Sequence, residues 1–151
     1  MKVNTSELIG AALNWAFATC EGWGVTPVRT DGVMQIWHND CISRGRPTLD
    51  NQGSFRYLAH GHEPVALFGC PINFDWCDVG PIIEWEQMGV FPFSIDEMGN
   101  PCQPGWSSFI HFDKTHFQGP TPLIAAMRCY VASKLGDEVE VPDELINERN
   151  T

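Results

Sequence analysis

Thr121-Pro122-Leu123-Ile124-Ala125-Ala126-Met127-Arg128-Cys129-Tyr130-Val131-Ala132-Ser133-Lys134-Leu135-Gly136 is the stretch that decides the fold. Thr121 can accept a hydrogen bond from the open amides of a first helical turn, and the fixed φ of Pro122 suits the first helical position. Gly136 supplies the stop. Between these signals Leu123, Ile124, Met127, Tyr130, Val131 and Leu135 recur at helical spacing and make one apolar face. The other side carries Ala125, Ala126, Cys129, Ala132 and Ser133, which are small rather than charged, and no acid falls within the segment. A helix without a solvated face needs cover on two sides. The spacing therefore predicts a central helix over about 121–135.

A second helix is predicted over about 6–20. Thr5 or Ser6 can cap it, Glu7 suits the positive end of the helix dipole, and Gly22 and Gly24 end it. Leu8, Ala12, Trp15 and Thr19 share a stripe with Ile9, Leu13, Ala16 and Cys20 beside it. Between the two helices the period changes. Val33, Gln35 and Trp37 alternate with Met34, Ile36 and His38, as in a half-buried strand, and Asp31-Gly32 reads as the turn before it. Phe55 to Ala59, Val65 to Phe68 and Trp106 to Phe112 read as further strands. Asp75 to Asp78 suits a capped helical turn, and Pro81 can open a second short helix through Glu86, with a strand as the alternative for Ile82-Ile83. The fold class expected is α+β: two main helices packed on a small, mainly antiparallel sheet, with short irregular elements between. Residues 1–151 read as a single domain with an acidic tail from about Asp137.

Charge narrows the partners. The formal net charge is −10, and all of that excess falls after residue 60, where fourteen acids face four bases. Such a surface repels nucleic-acid phosphates, which argues against direct DNA or RNA binding. The opening residues lack the cationic start and apolar run of a signal peptide, and no stretch approaches the roughly 18 apolar residues of a membrane span. The six cysteines fit reduced, structural thiols, and the absence of any Cys-x-x-Cys pair argues against zinc. His60 and His62 could share a strand face with Glu63 nearby, but no third ligand stands at a diagnostic spacing. No metal and no cofactor are expected.

Two residue classes suggest a ligand site. Arg128 borders the apolar face of the central helix, where a guanidinium needs a carboxylate or phosphate partner because its charge cannot be removed. An internal ion pair is the plain alternative. Six Trp, nine Phe and two Tyr exceed what a core of this size requires, and several sit beside turns, among them Trp23, Trp76, Trp85 and Trp106. Flat rings near loops can stack a base or anchor a protein. No Walker loop, Gly-x-Ser-x-Gly or His-Glu-x-x-His occurs, which weakens an enzymatic reading without removing it.

Three blocks resemble the NinX-like proteins of tailed phages. They are Lys2 to Ala16 (KVNTSELIGAALNWA), Asp75-Trp76 with Gly80-Pro81-Ile82-Ile83-Glu84, and Gly119 to Arg128 (GPTPLIAAMR), joined by Val139-Glu140-Val141-Pro142. A polar pair such as Ser-Thr often precedes the Asp-Trp in those proteins, whereas Asn73-Phe74 stands here. The resemblance implies expression in the cytoplasm of an infected bacterium and brings no catalytic residue with it.

The functional expectation is a binder of a small nucleotide-like anion, acting as an accessory or counter-defence factor. Its candidate ligand-binding residues are Trp76, Arg128, Arg56, Tyr57, Trp106, His111 and Asp75. Two other classes stay open. One is an acidic protein-interaction or nucleic-acid-mimicking inhibitor of a host factor. The other is a small hydrolase using Asp75, Glu84 or the histidines. Self-association is left open as well.

Overall fold

The computed structural model describes residues 1–30, 33–38, 46–49, 55–58, 65–66, 73–102, 105–110 and 116–146, and it is an α+β fold. Its centre is the helix Pro122–Leu135, here α3, capped as the sequence predicts. Thr121 Oγ1 accepts from the Ile124 amide at 3.1 Å, and Gly136 ends the helix at φ 93°. Residues Ala125 to Val131 are buried without interruption. That is possible because α3 is clamped between the N-terminal helix α1 (Gly10–Cys20) and an antiparallel sheet of three strands. The sheet runs β11 (Phe117–Gly119), β10 (Trp106–Ile110), β7 (Met88–Phe91). The small residues let it approach closely: a Cβ added to Gly119 would lie 2.7 Å from the Ala125 amide nitrogen.

The helix α1 starts four residues later than its spacing suggests. Thr5–Glu7 form a 3₁₀ turn instead, and Ile9, in the cap position, makes no side-chain cap bond. The hydroxyl expected to cap the helix is spent elsewhere. Thr5 Oγ1 donates to the Gly136 carbonyl at 2.7 Å and the Thr5 amide to the Asp137 carbonyl at 2.8 Å, tying the chain start to the end of α3. The backbone at Gly10 then takes φ 59° to re-aim the chain. Leu8, Leu13, Ala16 and Phe17 are essentially sealed from water, each large apolar side chain contributing about 1.5–3 kcal/mol. Phe17 stacks at an angle on Phe74 and Tyr130, with centroids 4.5 and 5.3 Å away.

The middle region forms one helix, α2 (Trp76–Trp85), where the sequence suggested two short pieces or a strand. Asp75 accepts from the Cys77 amide at 2.9 Å while Asp78 accepts from the Asp75 amide at 3.1 Å. This reciprocal pair fixes the first turn, and the packing of Val79, Ile82 and Ile83 in and against the core carries the helix through Pro81.

Among the described residues the remaining strands form further small antiparallel groups. They are β2 (Val25–Thr30) with β3 (Val33–His38), β4 (Arg46–Leu49) with β5 (Phe55–Leu58) and β6 (Val65–Ala66), and β8 (Ser94–Ile95) with β9 (Pro101–Cys102). The Asp31-Gly32 turn lies outside the described residues. The described part of the acidic C-terminal segment packs onto the domain. Strand β12 (Glu138–Glu140) pairs with β1 (Lys2–Asn4), and the short helix α4 (Asp143–Ile146) follows. Val139, Val141 and Leu145 enter the core while Glu138, Glu140, Asp143 and Glu144 stay outside. Alternation along the strand lets one segment supply both core and charge.

Candidate functional site

An open cleft of about 610 Å³ lies along the edge strand β11. One wall is the chain from His116 to Pro120, with Gly105 nearby; the other is Asn4, Ser6 and Asp137. Both walls exist because of contacts described above. The Gly119 approach to α3 holds β11 inward, and the bonds of Thr5 to Gly136 and Asp137 hold the N-terminal turn against the end of α3.

Arg128 spans the two walls. Its Nε donates to the Leu8 carbonyl at 2.8 Å, and its Nη1 donates to the Gln118 carbonyl at 2.7 Å. The residue is only 9% exposed, yet it lines the cleft. Both of these bonds go to main-chain carbonyls and fix the plane of the guanidinium at the cleft. Helical spacing places Arg128 on one surface with Ile124 and Val131, so burial was legible, but not which carbonyls it would meet.

The other candidates scatter. Asp75 is the N-cap of α2, and Trp76 follows it at 49% exposure; neither lines the cleft. Trp106 begins β10 opposite Gly119 and directly after the cleft-lining Gly105, so it is a neighbour of the cleft through the sheet register. Arg56 and Tyr57 fall on β5, and their side chains lie outside the described residues, as does His111 entirely. His60 and His62 are outside them too. Sequence reasoning missed Asn4, Ser6, His116, Gln118 and Asp137. Only the return of β12 alongside β1 brings Asn4 and Ser6 near Asp137, a contact spanning more than 130 residues.

Among the described residues no group of three or more metal-ligating side chains occurs, and no helix is long and apolar enough to cross a membrane. Of the described cysteines, burial pushes the Cys20 thiol up to about 11, which keeps it protonated and a poor nucleophile near neutrality. Tyr130 is held above the ordinary phenol range by burial and by its hydrogen bond to Glu21, 2.7 Å away.

Two of the three blocks that resemble phage proteins line this cleft: the first carries Asn4 and Ser6, the last Gly119 and Arg128. A family model described as "Bacteriophage P22, NinX" matches residues 4–134. The chain belongs to the NinX family. The match covers all of α1, α2, β7, β10 and β11 and all but the last residue of α3. No curated protein matches the chain significantly. Family membership fits expression during phage infection of a bacterium.

Proposed function

We propose that this NinX-family protein binds and sequesters a small anionic ligand in the cleft between β11 and the N-terminal turn. The observation that carries the reading is Arg128, whose guanidinium is fixed by two main-chain carbonyls at the cleft in a chain of net charge −10. A guanidinium oriented at a cleft of an acidic protein favours a small anion over a long polyanion, because the surrounding surface repels extended phosphate chains. Asn4, Ser6 and Gln118 add neutral polar side chains along the walls, and Phe117 and Pro120 add apolar surface. The cleft offers a binding arrangement, and sequestration of a small signal molecule would serve the phage as counter-defence.

The test replaces an exposed wall residue and leaves Arg128 in place. Calorimetric titration with phosphorylated small molecules, from inorganic phosphate to cyclic dinucleotides, is expected to give saturable heat with at least one of them. Ser6→Asp puts a negative charge into the cleft and is expected to weaken that binding at least tenfold with little loss of stability. Binding unchanged in Ser6→Asp would sink the site. Ligand recovered intact after incubation supports sequestration; ligand recovered cleaved assigns a hydrolase instead.

A further inference from the structure

Four aromatic rings gather on the sheet face that adjoins this cleft. Gly119 points toward α3, as its closeness to Ala125 shows, so alternation along the chain turns Gln118 and His116 to the opposite face. The register places Phe109 opposite Gly89 and Ser107 opposite Phe91 on that same outer face. Gly89 has no Cβ, and the Phe109 ring occupies the space that a Cβ there would need. Phe91 lies 6.0 Å from Phe109 and 5.5 Å from His116, edge-on to the latter, and 6.3 Å from Phe93 at 24°. His116 lies 5.4 Å from Phe109 with the planes 30° apart, a near-parallel stack. His116 is exposed, Phe93 is 44% exposed, and His116 also lines the cleft. One ring therefore belongs to both the aromatic cluster and the Arg128 cleft.

We infer that the cleft has a second subsite at its His116 end which takes a planar heterocyclic ring, so that the ligand class is a nucleotide. This rests on the anion-binding reading above and makes it narrower. Every nucleobase presents a π-face, and stacking on His or Phe is sequence-tolerant. A cleft of about 610 Å³ has room for a ring and a phosphorylated sugar, whereas a bare inorganic anion would leave most of it to water. Asp137 points the same way. Its carboxylate repels a second phosphate but accepts hydrogen bonds from sugar hydroxyls, a part that Asn4 can share. The arrangement assigns phosphate to Arg128, sugar to the Asn4–Asp137 wall and base to His116 with Phe109.

The full chain is titrated with the four nucleoside 5′-monophosphates, the four nucleosides, ribose 5-phosphate and inorganic phosphate. At least one monophosphate is expected to bind about 5- to 150-fold tighter than ribose 5-phosphate, the margin that one stacked base supplies. His116→Ala, at an exposed position, should remove that margin and leave ribose 5-phosphate binding unchanged; Phe93→Leu should reduce it. Saturation-transfer NMR should mark base protons more strongly than ribose protons. A monophosphate no tighter than ribose 5-phosphate, or a margin that survives His116→Ala, overturns the ring subsite while the anion cleft stands. Silence from every phosphorylated probe removes the anion cleft and the inference together. A nucleoside that binds as tightly as its monophosphate keeps the ring subsite and removes the role of Arg128.

Discussion

The N-terminus of α2 and the cleft beside β11 each set an aromatic ring near a charged side chain, and they are built in opposite ways. At α2, Asp75 and Trp76 are neighbours in sequence, and the carboxylate is consumed by local work. It accepts from the Cys77 amide, and Asp78 closes the pair from three residues on. Trp76 is half out in solvent and faces no cavity among those described. At the cleft the participants come from the chain start, from β11, from α3 and from Asp137, and Arg128 joins two of them through Leu8 and Gln118. The comparison teaches that Asp75 beside Trp76 reports a helix cap, whereas the cleft is recognised by side chains that converge from afar and are held by bonds they cannot make locally.

Removing the Arg128 side chain should have the largest effect in either region. Arg128→Met leaves the Leu8 and Gln118 carbonyls without their donor inside the protein, and two such losses are expected to cost about 2–4 kcal/mol. That corresponds to a fall in Tm of roughly 5–15 °C for a chain of this length, readable by thermal or urea unfolding. Arg128→Lys keeps the charge without the planar fork and should fall between. An Arg128→Met protein as stable as the parent would erase the contrast, since the cleft would then be no more tied together than the helix end.

Asp75→Ala should cost about 1 kcal/mol, the usual price of an N-cap, and leave every ligand titration unchanged. A loss of ligand binding in this variant would return Asp75 to the functional candidates and break the comparison from the other side. The smallest effect is expected for Trp76→Ala, within about 0.5 kcal/mol, as for most exposed positions. If Trp76→Ala instead abolished capture of a basic host protein in a pull-down, the ring would mark an interaction surface, and the acidic-inhibitor alternative would gain its anchor.

Much of the architecture was legible because its causes are local. Thr121, Pro122 and Gly136 bound α3 where the helical spacing put it, and the alternation from Trp106 gave β10. The start of α1 was not, because Thr5 could cap the helix or tie the chain to Gly136, and only the packed molecule chooses. Merging of the two expected turns into α2 was missed for a related reason. Pro81 is a poor interior residue, but the packing of Val79, Ile82 and Ile83 in and against the core, which only the folded molecule supplies, keeps the helix whole. Of the candidate site residues, Arg128 stands in the cleft and Trp106 beside it, while Asp75 and Trp76 lie elsewhere.

By itself, the sequence determined the class of fold, the central helix with no solvated face, the burial of Arg128 and the family, since each can be read from spacing, composition or motifs along the chain without knowing which segments touch. The tertiary structure alone decided where Arg128 would aim, which strands would separate into small groups, and that Asn4, Ser6, His116 and Asp137 would share one hollow. These depend on pairings such as β1 with β12, whose members are more than 130 residues apart. Contact at that range is set by which partners the whole core brings into register, and no window along the chain contains it.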